Sequence, residues 1–114
     1  MILTMISYQR KINLSMIYCF DVDGTICTIT EDKDYSKALP IEGRIERINN
    51  LYDSGNTIIF HTARGFVTRK DWYEVTKRQL DEWNVKYHKL YMNKPNADLY
   101  IDDKGVEDKL FFDD

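Results

Sequence analysis

The sequence predicts an α/β domain in which helices cover both faces of a parallel sheet. Three observations predict it. Short apolar runs without polar alternation recur along the chain, as strands buried on both faces require. Stretches with a helical apolar stripe lie between them. Each run ends abruptly in polar or acidic residues, as where Phe20 gives way to Asp21-Val22-Asp23-Gly24-Thr25. Strands alternating with amphipathic helices imply crossover connections and parallel pairing.

Met16-Ile17-Tyr18-Cys19-Phe20 is the first strand. Residues 26–39 are mixed and carry Glu31, Asp32, Lys33 and Asp34, which reads as a hairpin flap with a solvated tip. Pro40 opens a helix, since a first-turn proline lacks only an amide hydrogen that had no partner. Ile41, Ile45, Ile48 and Leu51 form its apolar stripe, and Gly55 stops it. Residues 57–61 are the second strand. A helix is expected over 69–83, with Thr68 and Asp71 as a loose capping box and Trp72, Val75, Leu80 and Trp83 on one face. Residues 85–90 are the third strand. Ala97-Asp98-Leu99-Tyr100-Ile101 is the fourth, running into Asp102-Asp103, and 105–114 supplies a final helical turn.

The chain has 114 residues, which suits one domain, placed at 16–114. Residues 1–15 show no clean period and are an N-terminal extension: a disordered arm, an extra edge strand or a stretch upstream of a start at Met16. They lack the apolar core and cleavage site of a signal peptide. No apolar run reaches 18 residues, so no membrane span and a cytoplasmic location are expected. Cys19 and Cys27, separated by seven residues, miss metal-ligand spacing and read as free thiols. A net charge of -3 argues against a dedicated nucleic-acid binder, which usually carries a basic face.

Ligands of open parallel sheets bind beyond the carboxyl ends of the strands. The residues found there are Asp21, Asp23, Gly24 and Thr25 after the first strand, Thr62 and Arg64 after the second, Lys94 after the third, and Asp102 and Asp103 after the fourth. Four crowded carboxylates repel and call for a cation, and oxygen ligands with a phosphate partner favour magnesium. Asp21 is the nucleophile candidate, able to form an aspartyl-phosphate. Asp23 is placed to protonate the leaving group and then to take a proton from water. Gly24 permits a sharp turn whose amides face phosphate. Thr62 and Lys94 clamp the transferring phosphoryl group, and Arg64 suits bidentate phosphate binding.

These residues resemble the motifs of the haloacid dehalogenase (HAD) superfamily of phosphatases. Asp21-Val22-Asp23-Gly24-Thr25 resembles the first motif, Thr62 in Phe60-His61-Thr62-Ala63-Arg64 the second, Lys94 before Pro95 the third, and Asp102-Asp103 after Ile101 the fourth. The resemblance implies a Rossmann-like, HAD-like three-layer sandwich. It implies magnesium held by Asp21, Asp23 (through its backbone carbonyl) and the pair Asp102/Asp103, with Asp103 the direct ligand and Asp102 its support, or the reverse with a water between. It also implies substrate contacts from Gly24, Thr25, Ala63 and Arg64. There is no room for a cap domain, so the site is open. Capless members often rely on a partner subunit as cover, which admits a homo-oligomer.

The function expected is magnesium-dependent hydrolysis of a small phosphorylated substrate through an aspartyl-phosphate. His-Thr-Ala-Arg, Lys-Pro-x-Ala-Asp and Ile-Asp-Asp resemble small phosphatases of capsular polysaccharide biosynthesis, which implies a sugar phosphate or nucleotide-linked precursor. Polynucleotide 3′-phosphatase domains carry a similar arrangement, with Thr68-Arg69 as a further match, so a nucleic-acid end is the alternative. A non-catalytic HAD-like binding subunit would lack Asp21, Asp23 or Lys94, and all three are present.

Overall fold

The computed structural model describes residues 15–114. The N-terminal extension, apart from Ser15, lies outside the described residues. In order come β1 (Ile17–Phe20), a 3₁₀ turn (Tyr35–Lys37), α1 (Glu42–Asp53), β2 (Thr57–His61), α2 (Tyr73–Glu82), β3 (Lys89–Tyr91) and α3 (Asp108–Phe112). The strands form one parallel sheet in the order β1-β2-β3. The pairing sets Phe20 beside Phe60 and Phe60 beside Leu90.

Both crossovers step the same way across the sheet. Right-handed connections then place α1 and α2 on the same face. That face carries Phe20, Ile58 and Phe60, packed with Ile45 and Ile48 of α1, Leu80 of α2 and Phe112 of α3. Ile48, Ile58, Phe60 and Leu80 are wholly buried, each burial contributing about 1.5–3 kcal/mol. The opposite face bears Ile17, Cys19 and Tyr91, all exposed. Among the described residues the sheet is therefore covered on one side, and the three-layer sandwich expected from the sequence is reduced to two layers. The described domain is a small α/β unit with a three-stranded parallel sheet and three helices.

The flap leaves and returns over residues 26–41. Thr28 N–H donates to the Leu39 carbonyl and Ile41 N–H to the Ile26 carbonyl, at 2.9 and 2.8 Å. Its acidic tip is neutralised locally, with Lys37 Nζ 2.8 Å from Asp32. Its inner end docks on α2, where Gln79 Nε2 donates to the Tyr35 carbonyl at 2.7 Å.

The fourth strand does not form. Residues 97–103 run as irregular chain, with Leu99 76% and Ile101 90% exposed. The third strand begins at Lys89 rather than 85, because the end of α2 claims the preceding residues. Asn84 takes a left-handed conformation (φ 57°) and the Val85 amide donates back to Leu80. The second helix starts at Tyr73 rather than 69, since Arg69 is also left-handed (φ 62°) and the Asp71 side chain accepts from the Tyr73 amide.

The carboxyl end of the chain is tied to α1 by one buried arginine. Arg44 Nε and Nη2 grip the two Asp114 oxygens at 2.7 and 2.8 Å, and Nη1 reaches Asp108 at 2.7 Å and the Thr25 carbonyl at 3.1 Å. Its guanidinium also lies 4.8 Å from the Phe112 ring. The hydrogen bond from Arg44 holds the Asp114 carboxyl below its ordinary value of 3.8. A carboxyl lowered in the native state adds stability above its unfolded value and gives it up as pH falls. Acidification below about pH 4 should therefore loosen α3. Thermal unfolding checks this: Asp114→Asn should lower Tm most near neutral pH, and its difference from wild type should shrink steadily with acid.

Candidate active site

Three separate strands bring Asp21, Thr62 and Lys94 together at their carboxyl ends. Asp21 follows β1 directly. Thr62 follows β2, one residue past His61, and is buried. Its amide donates to the Tyr91 carbonyl of β3 at 2.9 Å, and its carbonyl accepts from the Lys94 amide at 3.2 Å. This extension of the parallel ladder brings the chain after β3 over to the Asp21 side. Lys94 Nζ stands 3.6 Å from Asp21 Oδ1.

Asp21 is half-buried, and burial pushes its carboxyl above the usual range. Lys94 and the Val22 amide pull the other way, and the charge on Asp23 pushes up again. An anion held at a net cost beside a fixed cation is a common arrangement for a nucleophile. The Thr62 hydroxyl oxygen accepts from the Arg64 amide at 3.1 Å, which leaves its own hydrogen to donate. The Ala63 amide has no acceptor among the described residues and is available for an anion.

Arg64 occupies a different place from the one expected of a phosphate ligand. It is 2% exposed and turned inward. Nε and Nη2 hold Asp23 Oδ2 and Oδ1 at 3.0 and 2.9 Å. Nη1 donates to Thr76 at 3.0 Å and Gln79 at 2.6 Å, and Nη2 also approaches Cys27 Sγ at 3.8 Å. The Tyr35 ring covers the guanidinium at 4.9 Å. All five donors are thus spent on protein, so Arg64 orients Asp23 instead of meeting substrate. The turn that aims it needs Gly65, which sits at φ 85° with space for no Cβ, since one would lie 2.2 Å from the Lys70 carbonyl.

Gly24 also departs from expectation in part. It is left-handed (φ 79°), as a tight turn after a strand needs. Its amide, however, donates to the Cys27 carbonyl at 2.8 Å, and the Thr25 amide to the Val22 carbonyl at 3.1 Å. These two groups shape the loop, and their N–H vectors are not free for phosphate.

Asp102 and Asp103 are exposed, and among the described residues they form no cluster of acids with Asp21 and Asp23. Asp102 Oδ1 closes its own turn, accepting from the Lys104 and Gly105 amides at 2.6 Å each. Arg64 engages only the side chain of Asp23 and leaves its backbone carbonyl, the ligand expected of that residue, unaffected, while neither Asp102 nor Asp103 completes a cluster with Asp21 and Asp23. Among the described residues no three His, Cys, Asp or Glu side chains come together as ligands for a metal ion. A carboxylate from 102 or 103 is the part of the expected magnesium set that this arrangement does not bring to Asp21 and Asp23.

Two neighbours of the site were not legible in the sequence. Tyr100 lies with its ring 4.1 Å from Lys94 Nζ, a cation–π contact that narrows the lysine's range of motion. His61 Nε2 and Asn93 Oδ1, 3.1 Å apart, brace the loop leading to Lys94. A tyrosine in an apolar run reads as strand, and nothing local marks it as a lysine's partner. Beside the site, Arg64, Gly65, Phe66, Arg69, Lys70, Asp71, Trp72 and Met92 line a shallow recess with two exposed cations and one exposed acid on its rim.

No protein-family model and no curated protein matches the chain. A crystal structure of an MCSG target from Vibrio cholerae is similar in fold, with a TM-score of 0.76 and 26% identity over 87% of this chain and 88% of that one. A chain of the Pnkp1/Rnl/Hen1 complex is similar at a TM-score of 0.55 and 21% identity, covering 75% of this chain and 30% of its own. A chain of the Pnkp1/Rnl/Hen1 RNA repair complex is similar at 0.55 and 19% identity, covering 87% and 29%. The chain spans less than a third of the length of the latter two, and those likenesses concern the fold alone. Among the described residues no helix is long and apolar enough to cross a membrane.

Proposed function

We propose that the chain is a HAD-type phosphomonoesterase in which Asp21 is the nucleophile. The observation that carries this is the meeting of Asp21, Thr62 and Lys94, contributed by the ends of three strands, within a chain whose fold resembles a component of an RNA repair complex. In this reading an Asp21 oxygen attacks phosphorus and the ester oxygen departs with a proton from Asp23. Water then attacks the aspartyl-phosphate and passes a proton back to Asp23, releasing phosphate and restoring both acids. Lys94, the Thr62 hydroxyl and the Ala63 amide hold the phosphoryl oxygens. Arg64 keeps Asp23 in one rotamer. Magnesium is proposed from the motif resemblance, and no step here is routed through it.

The substrate class proposed is a small sugar phosphate or nucleotide-linked precursor, which rests on the motif resemblance. A second reading, a nucleic-acid 3′-phosphate, is favoured by the open recess in which Arg69 and Lys70 outnumber the single acid Asp71. Phosphate release across sugar phosphates, nucleotides and 3′-phosphorylated oligonucleotides, with and without magnesium, tests both. Lys94→Met should lower kcat about 100- to 1,000-fold on whichever ester is hydrolysed. An undiminished rate in that variant would remove Lys94 from the chemistry. An oligonucleotide substrate should bind with a steep salt dependence, and a sugar phosphate with a shallow one.

A further inference from the structure

The acids at 102 and 103 sit on an exposed apolar arm that cannot deliver them to the Asp21 of its own chain as a strand. From this we infer that the arm is exchanged: residues 97–101 of one copy add as a parallel strand to the edge of β1 that no described strand covers in a second copy and set Asp102 and Asp103 beside that copy's Asp21. The inference rests on the function proposed above and supplies what a single copy lacks.

The arm is built to be covered. Leu99 and Ile101 point into solvent, as do Val106 and Leu110 beyond it. So much apolar surface on so short a stretch marks a contact site. Its sequence, Ala-Asp-Leu-Tyr-Ile, is a strand pattern without a strand. The receiving surface is equally bare. Among the described residues no strand lies on the outer edge of β1, and Ile17 and Cys19 face solvent.

Chain length decides which copy supplies the arm. Lys94 is pinned at the Thr62 carbonyl and beside Asp21. Since Phe20 pairs with Phe60, Thr62 stands level with Val22. A parallel strand on the edge of β1 with Ile101 level with Phe20 puts Ala97 level with Met16. That lies six residues lower, about 20 Å at 3.3 Å per residue, and about 10 Å across from β2, two strand spacings away. The separation is roughly 22 Å, and the three steps from Lys94 to Ala97 span at most about 11 Å. An antiparallel strand is no remedy, because it carries the acids to the far end of β1, about 20 Å from Asp21. The arm of a second copy has no such tether, and exchange gives up the contacts that Tyr100 makes in its own chain with Lys94, Pro95 and Ala97. Two copies related by a two-fold axis exchange arms reciprocally and complete both sites, with no open chain of contacts.

Three measurements on the full chain test this. Sedimentation of the wild type should give a dimer. In Tyr100→Cys, the introduced thiol would stand level with the native Cys19 of the other copy, so mild oxidation should yield a covalent dimer on a non-reducing gel. Co-expression of Asp21→Asn with the double variant Asp102→Asn/Asp103→Asn, each inactive alone, should restore about a quarter of wild-type activity, because half of the dimers are mixed and each holds one complete site. A monomer in sedimentation, a disulfide within one chain, absence of the disulfide, or no recovery on co-expression would each overturn the exchange. The first two measurements need no turnover. A cross-linked dimer without phosphatase activity would sink the enzyme reading and keep the exchange, and an active monomer would do the reverse.

Discussion

Asp21→Asn should abolish phosphate release and at the same time make the protein harder to unfold at neutral pH. The first effect follows from chemistry. An amide has no anionic oxygen to attack phosphorus, and loss of a nucleophile lowers kcat by about 10,000-fold or more. The second follows from electrostatics. Burial raises the Asp21 carboxyl above its ordinary range, more than Lys94 and the Val22 amide lower it. The native state therefore favours the protonated form, and ionisation opposes folding. Stability is lost as pH rises from the unfolded carboxyl value through the raised native one. A neutral isostere escapes that penalty, so the Tm of Asp21→Asn should exceed wild type at pH 7, with the gap closing as the solution is acidified toward about pH 4. Phosphate release from p-nitrophenyl phosphate with magnesium reads the first effect, and thermal unfolding across pH reads the second. Full turnover by the variant would dismiss the nucleophile. A Tm equal to or below wild type at pH 7 would mean that the pull of Lys94 outweighs the cost of burial.

What the sequence made legible follows the range of the interactions involved. β1, α1 and β2 are set by local pattern: an apolar run, a stripe of Ile45, Ile48 and Leu51, and a second run at 57–61. The placement of Asp21, Thr62 and Lys94 on one rim also follows from local pattern once the strands are parallel, because each residue sits just beyond a strand end. The direction of Arg64 was not legible. It depends on a left-handed Gly65 and on partners 12, 15 and 41 residues away, Thr76, Gln79 and Asp23. The fourth strand failed for a global reason. Residues 97–101 have the composition of a strand, but a strand needs an edge within reach, and the tether at Lys94 keeps the edge of β1 out of it. The third layer, absent among the described residues, has a similar origin, since two crossovers in one direction leave the other face of the sheet to whatever lies outside them.

The inward Arg64 yields the second large effect, on folding. Replacing it with methionine keeps much of the side chain's volume but strands the Asp23 carboxylate and the Gln79 carbonyl, while the Thr76 hydroxyl keeps its bond to the Trp72 carbonyl. Breaking a buried pair by removing one partner costs about 3–5 kcal/mol. For a domain of this size that is a fall in Tm of roughly 12 °C or more. Arg64→Lys should recover only part of it, because one ammonium cannot span both Asp23 oxygens and also reach Thr76 and Gln79. The double variant Arg64→Met/Asp23→Asn should be more stable than Arg64→Met alone, since no unpaired charge remains, and a double-mutant cycle measures that coupling. The same loss of support should lower kcat, because Asp23 no longer holds one rotamer for proton transfer. A substrate-binding arginine behaves otherwise: its loss raises KM and leaves Tm near wild type. Unfolding and kinetics on these variants therefore separate the two roles, and an unchanged Tm in Arg64→Met would return the guanidinium to the substrate.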